Sequence, residues 1–400
     1  MRTLADAPVL DIFDQAFLND PAAVMRPLRV TTWIVQTPIG GLVIGRAQVQ
    51  ALIGDRRLRS SLPDILRLQG ITEGPLFDRL SSSILALEGE EHLRIRRLVN
   101  RAFTPRAVGA HRPHMRAVLD ELIDPLLPTG RSELMAGLCD HYPIRVMCHV
   151  LGVPEQDHED FASWNRAITW ALSFEVGAHL DDVMWGMSQM DSYVSELTAD
   201  RRRHPREDLV TALVQAREGD DRLTDLEVQT MIASLLFAGY DTTRNQLGLA
   251  LWLFAQHPDQ WTKLADAPDL AGRAVEEVMR FHGAVAVAPR VVAEDLEFEG
   301  YHLPAGTIVS LSTASANKDE VAYADPLTFD ITVDREPHLT FGGGPHYCLG
   351  ASLARAEMQE ALPGLATAMP DLALDGEPTF RPPFGIFGPE SLPVRFTPTR

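Results

Sequence analysis

Cys348 lies in the stretch HLTFGGGPHYCLGASLAR, where three consecutive glycines and a proline constrain a loop directly before an expected helix start. A thiol there meets the positive end of the helix dipole and unpaired backbone N–H groups, both of which favour thiolate, the form that binds a soft metal. A lone cysteine is also commonly a buried hydrophobe, and on this residue alone both readings stand. A phosphate-cradling loop is a weaker reading, because the Lys-Ser/Thr pair of a P-loop is missing. A second group is the polar interruption AGYDTT, Ala238 to Thr243, inside an apolar helical stretch. A carboxylate and hydroxyls there cost several kcal/mol unless paired or functional. Gly239 costs about 1 kcal/mol relative to Ala and removes a side chain where something else needs room. Hydroxyls bonded to the carbonyl four residues back would distort the helix locally. The result is either a groove beside a proton donor or a satisfied polar knot. Glu277 and Arg280, three apart in AVEEVMRF, share a helix face and taken alone are ordinary surface decoration. In GEEHLRIRRLVNRAF, His92 and Arg96 share one face while Arg94, Arg97 and Arg101 point elsewhere. Two basic stripes suit two anionic partners; a solvated basic helix is the plainer alternative.

These residues need a scaffold, and the chain's patterning supplies one. From about 90 to 280 apolar residues recur at helical spacing, with breaks at Pro105, Pro113, Pro125, Pro128, Pro143, Pro154 and Pro205, which predicts short helices in succession. Thr224 with Glu227 three residues later is a capping box, and no proline follows until Pro258. That allows about 34 helical residues, roughly 50 Å, apolar on nearly all sides and so buried. From Arg290 to Leu311 the period becomes two, with β-branched runs (Arg290 to Ala293, Thr307 to Leu311) separated by the turn residues EGYHLPAGT, so a small sheet is expected. Residues 325 to 345 read as irregular coil, followed by a helix from about Leu349 to Ala368. The expected fold is mainly α with a small β region. Without repeats or linkers, 1–400 reads as one domain: a helix-rich core about 90–280 and 345–370, and a β-rich part about 290–312 plus the N-terminal segment.

Taken together and in this order, the four motifs resemble the haem-thiolate monooxygenases, the cytochrome P450 family, in its soluble bacterial form. The resemblance runs from about His92 to Arg355, and its most specific part is Phe341 to Gly350, which is similar to the family's haem-binding loop. It implies the cytochrome P450 fold, haem b (iron protoporphyrin IX) buried between the long central helix and the cysteine loop, and O2 as cosubstrate. Cys348 becomes the axial iron ligand and the metal site, with Phe341 packed near the sulfur. Glu277 and Arg280 become the structural Glu-x-x-Arg pair, and Ala238 to Thr243 the oxygen-binding groove. His92, Arg96, Arg290 and His346 match positions that hold the haem propionates, a role suited to arginine's forked donors. Asp241 and Thr242 become the catalytic acid and alcohol that relay protons, Thr242 orienting water and Asp241 exchanging with solvent. The chain departs from the pattern where an arginine usually follows the Phe-Asp of the coil: counting from Phe329 that position is Val333, and the nearest arginine is Arg335. Either Arg335 reaches in or backbone carbonyls satisfy the pair. Proline is likewise delayed to Pro289, with Gly283 and Ala284 before it.

By the same resemblance the substrate pocket is lined by Phe237, Ala238, Val285, Ala286, Val287, Ile386 and Phe387, with further wall from Ile71 to Leu85. All seven named residues are apolar, so a hydrophobic terpenoid, steroid, fatty-acyl or aromatic substrate is expected, hydroxylated or epoxidised. Neither a four-cysteine set nor a convincing dinucleotide fingerprint is present, so electrons from NAD(P)H are expected through a separate ferredoxin and its reductase. Arg94, Arg97, Arg101 and Arg355 are the expected docking patch for that acidic carrier. A peroxide-driven hydroxylase of the same fold and a haem-binding sensor or carrier are the competing readings; the acid–alcohol pair weighs against both. Zinc has little support, because Cys-x-x-Cys spacing is absent and a proline separates His111 from His114.

Composition bounds the rest. A net charge of −19 disfavours nucleic acid as a partner. Apolar runs such as Met231 to Ala238 are far too short for a bilayer, and Asp6, Asp11 and Asp14 interrupt any secretory leader. Three scattered cysteines suit a reducing cytoplasm, and a monomer is expected. Only two of 36 basic residues, Lys263 and Lys318, are lysine, which has no functional account.

Overall fold

The computed structural model describes residues 1–173, 175–218 and 221–398, without the side chains of Arg217 and Glu218. The chain forms two compact units, one of residues 1–81, 85–88 and 276–348, the other of 82–84, 89–275 and 349–400.

The first unit is built on a five-stranded sheet. Its strand order is Ile34–Thr37, Gly40–Val43, Ile308–Ser312, Val287–Val292, Leu58–Ser60, with Gly40–Val43 parallel to Ile308–Ser312 and the other pairs antiparallel. The β-branched runs expected around Arg290 and Leu311 are the two central strands, in a register that pairs Val309 with Arg290. Their inward residues join Ile34, Val43, Val49 and Leu52 in a buried cluster, each such side chain contributing about 1.5–3 kcal/mol. The segment EGYHLPAGT corrects the sequence expectation of a plain turn. Tyr301–Leu303 is itself a strand, paired with Leu296–Phe298 across Glu299 and Gly300, whose φ values of 39° and 82° make a tight hairpin. A short apolar run cut by turn residues hid its alternation.

In the second unit the helix Asp225–Gln256 runs 32 residues from the Thr224 cap. Thr224 accepts from the Glu227 amide at 3.2 Å, and Glu227 accepts from the Thr224 amide at 2.7 Å. The helices Tyr142–Leu151, His158–Thr169 and Leu180–Arg203 pack on it, which is why apolar residues cover all its sides. Pro105, Pro113 and Pro143 sit in the first turns of helices, where a missing N–H costs nothing. Leu180–Arg203 spans 24 residues and corrects the expectation of uniformly short helices. The helix after the cysteine loop is Ala351–Ala368, capped by Gly350. Among the described residues no helix is long and apolar enough to cross a membrane.

Candidate functional site

In the first unit, the cysteine loop is shaped by its glycines. Gly342 and Gly344 take φ of 73° and 61°, and the Cys348 amide donates to the Phe341 carbonyl at 2.9 Å, closing the loop. A Cβ on Gly344 would stand 2.6 Å from the Gly54 Cα, and one on Gly343 2.7 Å from Ile53. Cys348 is exposed, whereas Cys139 and Cys148 are buried and burial pushes both of those thiols up. Of the three sulfurs, Cys348 alone is open to a bound group.

Upstream, the loop is anchored by a buried ion cluster. Arg280 donates to both oxygens of Glu277 at 2.7 and 2.8 Å and to the carbonyls of Asn317, Pro326 and Thr328. Glu277 also accepts from the Asp330 amide at 3.1 Å. Arg335 Nε lies 3.1 Å from Glu277, a charge contact off the angle for a hydrogen bond, while its other nitrogens donate to Ala324 and Thr328 carbonyls. Both resolutions of the Val333 departure therefore hold at once. Val333 itself is 43% exposed and takes no part. Thr340, just before Phe341, donates to the Met279 carbonyl at 2.7 Å and accepts from Asn317 at 2.9 Å, which ties the loop to the helix carrying Glu277.

Arg290 is a partly buried cation that donates to the Pro289 carbonyl at 2.9 Å. Burial pushes its guanidinium down, Glu88 opposing. Such a charge calls for an anion, and a haem propionate fits. His346 meets Glu88 at 3.0 Å through Nε2, so that nitrogen already has a carboxylate. Val285, Ala286 and Val287 lie partly open at the start of the strand that carries Arg290.

In the second unit, the long helix is buried from Leu235 to Leu251 except at Ala238, Gly239, Thr242. Ala238 and Thr242, one turn apart, form an open stripe of small residues; Thr242 Oγ1 donates to the Ala238 carbonyl at 2.6 Å. The room that the missing Gly239 side chain leaves is taken by Met147. A Cβ there would stand 2.7 Å from Met147 Sδ, so the glycine serves close helix packing. Phe237 is buried, while Ile386 and Phe387 lie partly open, Phe387 stacked on Phe380 with centroids 5.6 Å apart.

Asp241 is 1% exposed, so direct exchange with solvent, as the sequence suggested, is closed to it. Arg381 Nη1 donates to both its oxygens at 3.2 Å, and Asn245 Nδ2 donates to Oδ1 at 3.0 Å. Burial raises the Asp241 carboxyl above its ordinary value, against the pull of Arg381, Arg244 and Asn245. Arg244 bonds Asp140 at 2.5 Å and Asn245 at 3.2 Å, completing a continuous network. Sequence reasoning missed Asn245, legible as the residue one turn after Asp241. It also missed Arg381, for which no local signal exists.

His92 is buried and Arg96, on the same face, partly so; Arg97 and Arg101 are exposed and Arg355 is partly so. Arg94 leaves the basic stripe. It pairs with Asp221 at 3.2 Å and with Glu227 of the helix cap, so its charge is neutralised internally and the docking patch loses that member. Among the described residues no three His, Cys, Asp or Glu are placed to hold a metal ion; iron delivered inside a porphyrin needs only one protein ligand, and the exposed Cys348 with the partly buried Arg290 suits such a group.

A cytochrome P450 family model matches residues 75–365. Luteothin monooxygenase of Streptomyces thioluteus is 40% identical over 396 residues, 98% of this chain and 97% of that protein. Mycinamicin IV hydroxylase/epoxidase of Micromonospora griseorubida is 37% identical over 361 residues, 88% of each chain. Among solved structures, CalO2 superposes with a TM-score of 0.90 at 28% identity, covering 98% of this chain and 99% of that one.

Proposed function

The chain belongs to the cytochrome P450 family and is a haem-using oxidoreductase of the monooxygenase class, and from that premise we propose that it holds haem b on Cys348 and inserts one oxygen atom into a hydrophobic small molecule. The observation that carries this reading is the contrast among its thiols: Cys139 and Cys148 are buried and protonated, and Cys348 is exposed on a glycine-shaped loop. Haem held by the Cys348 thiolate would supply the oxygen-activating chemistry. Arg290 in the first unit supports a propionate role, and His92 and Arg96, which share one helix face of the second unit, are each proposed for the same role. We read the two units as parts of one catalytic domain, since the family match runs through both. The free thiols support a cytoplasmic setting, and a monomer completes the proposal.

The residues of the long helix manage protons. Thr242 commits its own hydrogen to the Ala238 carbonyl, which leaves its oxygen as an acceptor able to orient water. Asp241, raised by burial above its ordinary value, holds a proton more readily than an ordinary carboxyl. Thr242→Ala is expected to bind haem normally while product formed per NAD(P)H falls several-fold and peroxide rises. Unchanged coupling of NAD(P)H use to product in that variant would remove Thr242 from the reaction.

The apolar, partly open Val285, Ala286, Val287, Ile386 and Phe387 support a hydrophobic substrate of the terpenoid, steroid, fatty-acyl or aromatic class. A separate ferredoxin and reductase supply electrons in this reading, docking on Arg97, Arg101 and Arg355. Charge reversal at Arg101 is expected to slow the first electron transfer, measured by stopped flow, with the defect shrinking at high salt. Equal rates for both proteins at low salt would refute the patch.

A further inference from the structure

Asp241 belongs to a largely buried polar network, and one of its partly open members, Arg381, comes from the far end of the chain. The strands Thr379–Phe380 and Pro389–Ser391 pair antiparallel, and the loop between them begins at Arg381, whose amide donates to the Gly388 carbonyl at 3.2 Å. That loop lies on the long helix: a Cβ on Gly388 would stand 2.4 Å from Asn245 Oδ1, and the Arg244 guanidinium reaches the Pro389 carbonyl at 3.5 Å. The Arg381 side chain is 28% exposed against 2% for that of Asp241. Its contact is made by one nitrogen, Nη1, shared between both carboxylate oxygens.

We propose that Arg381 is the positioning residue for Asp241, holding its carboxylate toward the C-terminal loop and gating the passage of protons between it and solvent. The proposal rests on the proton-relay reading of Asp241 above. With the guanidinium in place the carboxylate is covered, and its proton affinity is held below what burial alone would give. When the loop lifts it away, the carboxylate takes one proton from solvent water and later gives one up on the Thr242 side; no electrons move. The other charged and titratable groups facing Asp241 cannot substitute. Arg244 is engaged by Asp140, Tyr240 is a buried phenol that burial pushes up, with Asp140, Arg244 and Arg166 around it, and Asn245 carries no charge. Because the loop also carries Ile386 and Phe387, a group seated against those residues would act on the gate directly.

The test is an infrared titration of the haem-loaded protein, following the carbonyl stretch of a protonated carboxyl assigned by its loss in Asp241→Asn. Arg381→Gln is expected to raise the midpoint by about one pH unit, since an adjacent cation lowers a carboxyl by that order, and to speed exchange of that band in D2O. Arg381→Lys is expected to stay near the parent on both counts, because a single nitrogen makes the contact. A midpoint and exchange rate unchanged in Arg381→Gln would overturn the proposal, as would a lowered melting temperature with no change in the band, which would make Arg381 merely a brace for the hairpin. A raised midpoint together with normal coupling in Asp241→Asn would instead sink the relay reading and leave the hold of Arg381 on Asp241 standing.

Discussion

Cys348→Ser is expected to give a folded protein that lacks the long-wavelength Soret band of the reduced CO complex and has no monooxygenase activity. A serine hydroxyl is too weak an acid to replace a soft anionic sulfur at iron. The fold should survive, because Gly342 and Gly344 set the loop's backbone and the Cys348 contact that closes it is made by the amide, not the side chain. Circular dichroism matching the parent, with the band absent, is the expected result. The matched controls are Cys139→Ser and Cys148→Ser. Both replace buried thiols and should cost stability while keeping the band wherever the protein folds. Persistence of the band in Cys348→Ser, or its loss in a folded Cys139 variant, would show that the ligand is elsewhere.

Glu277→Ala is expected to have the largest effect on stability. Glu277 is 3% exposed and is the single carboxylate shared by Arg280 and Arg335. Removing it leaves two buried or nearly buried guanidiniums with carbonyls alone, and breaking a buried pair in this way costs roughly 3–5 kcal/mol. That is a large fraction of a typical domain's stability, so a sharp fall in the urea midpoint is expected, with haem incorporation falling in parallel because the coil from Asn317 to Phe341 hangs on these bonds. Arg335→Ala should cost less, since Arg280 still holds Glu277 through two hydrogen bonds. A loss under about 1 kcal/mol in Glu277→Ala would mean that the carbonyl bonds alone secure the coil.

Much of this was legible in the sequence because the relevant interactions are local. The cap at Thr224 and Glu227, the pairing of Glu277 with Arg280, and the closing of the cysteine loop all join residues within a few positions of one another. Helix geometry or loop glycines dictate such contacts whatever the rest of the chain does. The long helix was likewise readable from its unbroken apolar stretch. Local patterning does not show a distant neighbour: Met147 fills the room at Gly239, and Asp221 and Glu227 draw Arg94 out of the basic stripe on which helix spacing places it.

By itself, the sequence determined the chemistry: one loop cysteine, one acid–alcohol step in an apolar helix, a carboxylate–arginine pair, and their order along the chain. Tertiary structure alone decided which charges meet. Arg335 takes up the place that Val333 leaves, and Arg381 reaches Asp241 across 140 residues. Burial then makes those meetings consequential. An arginine on a solvated coil is nearly neutral to its neighbours, whereas the same guanidinium against a carboxylate shut off from water shifts that carboxylate's proton affinity, and no periodicity or spacing in the chain records where water is excluded.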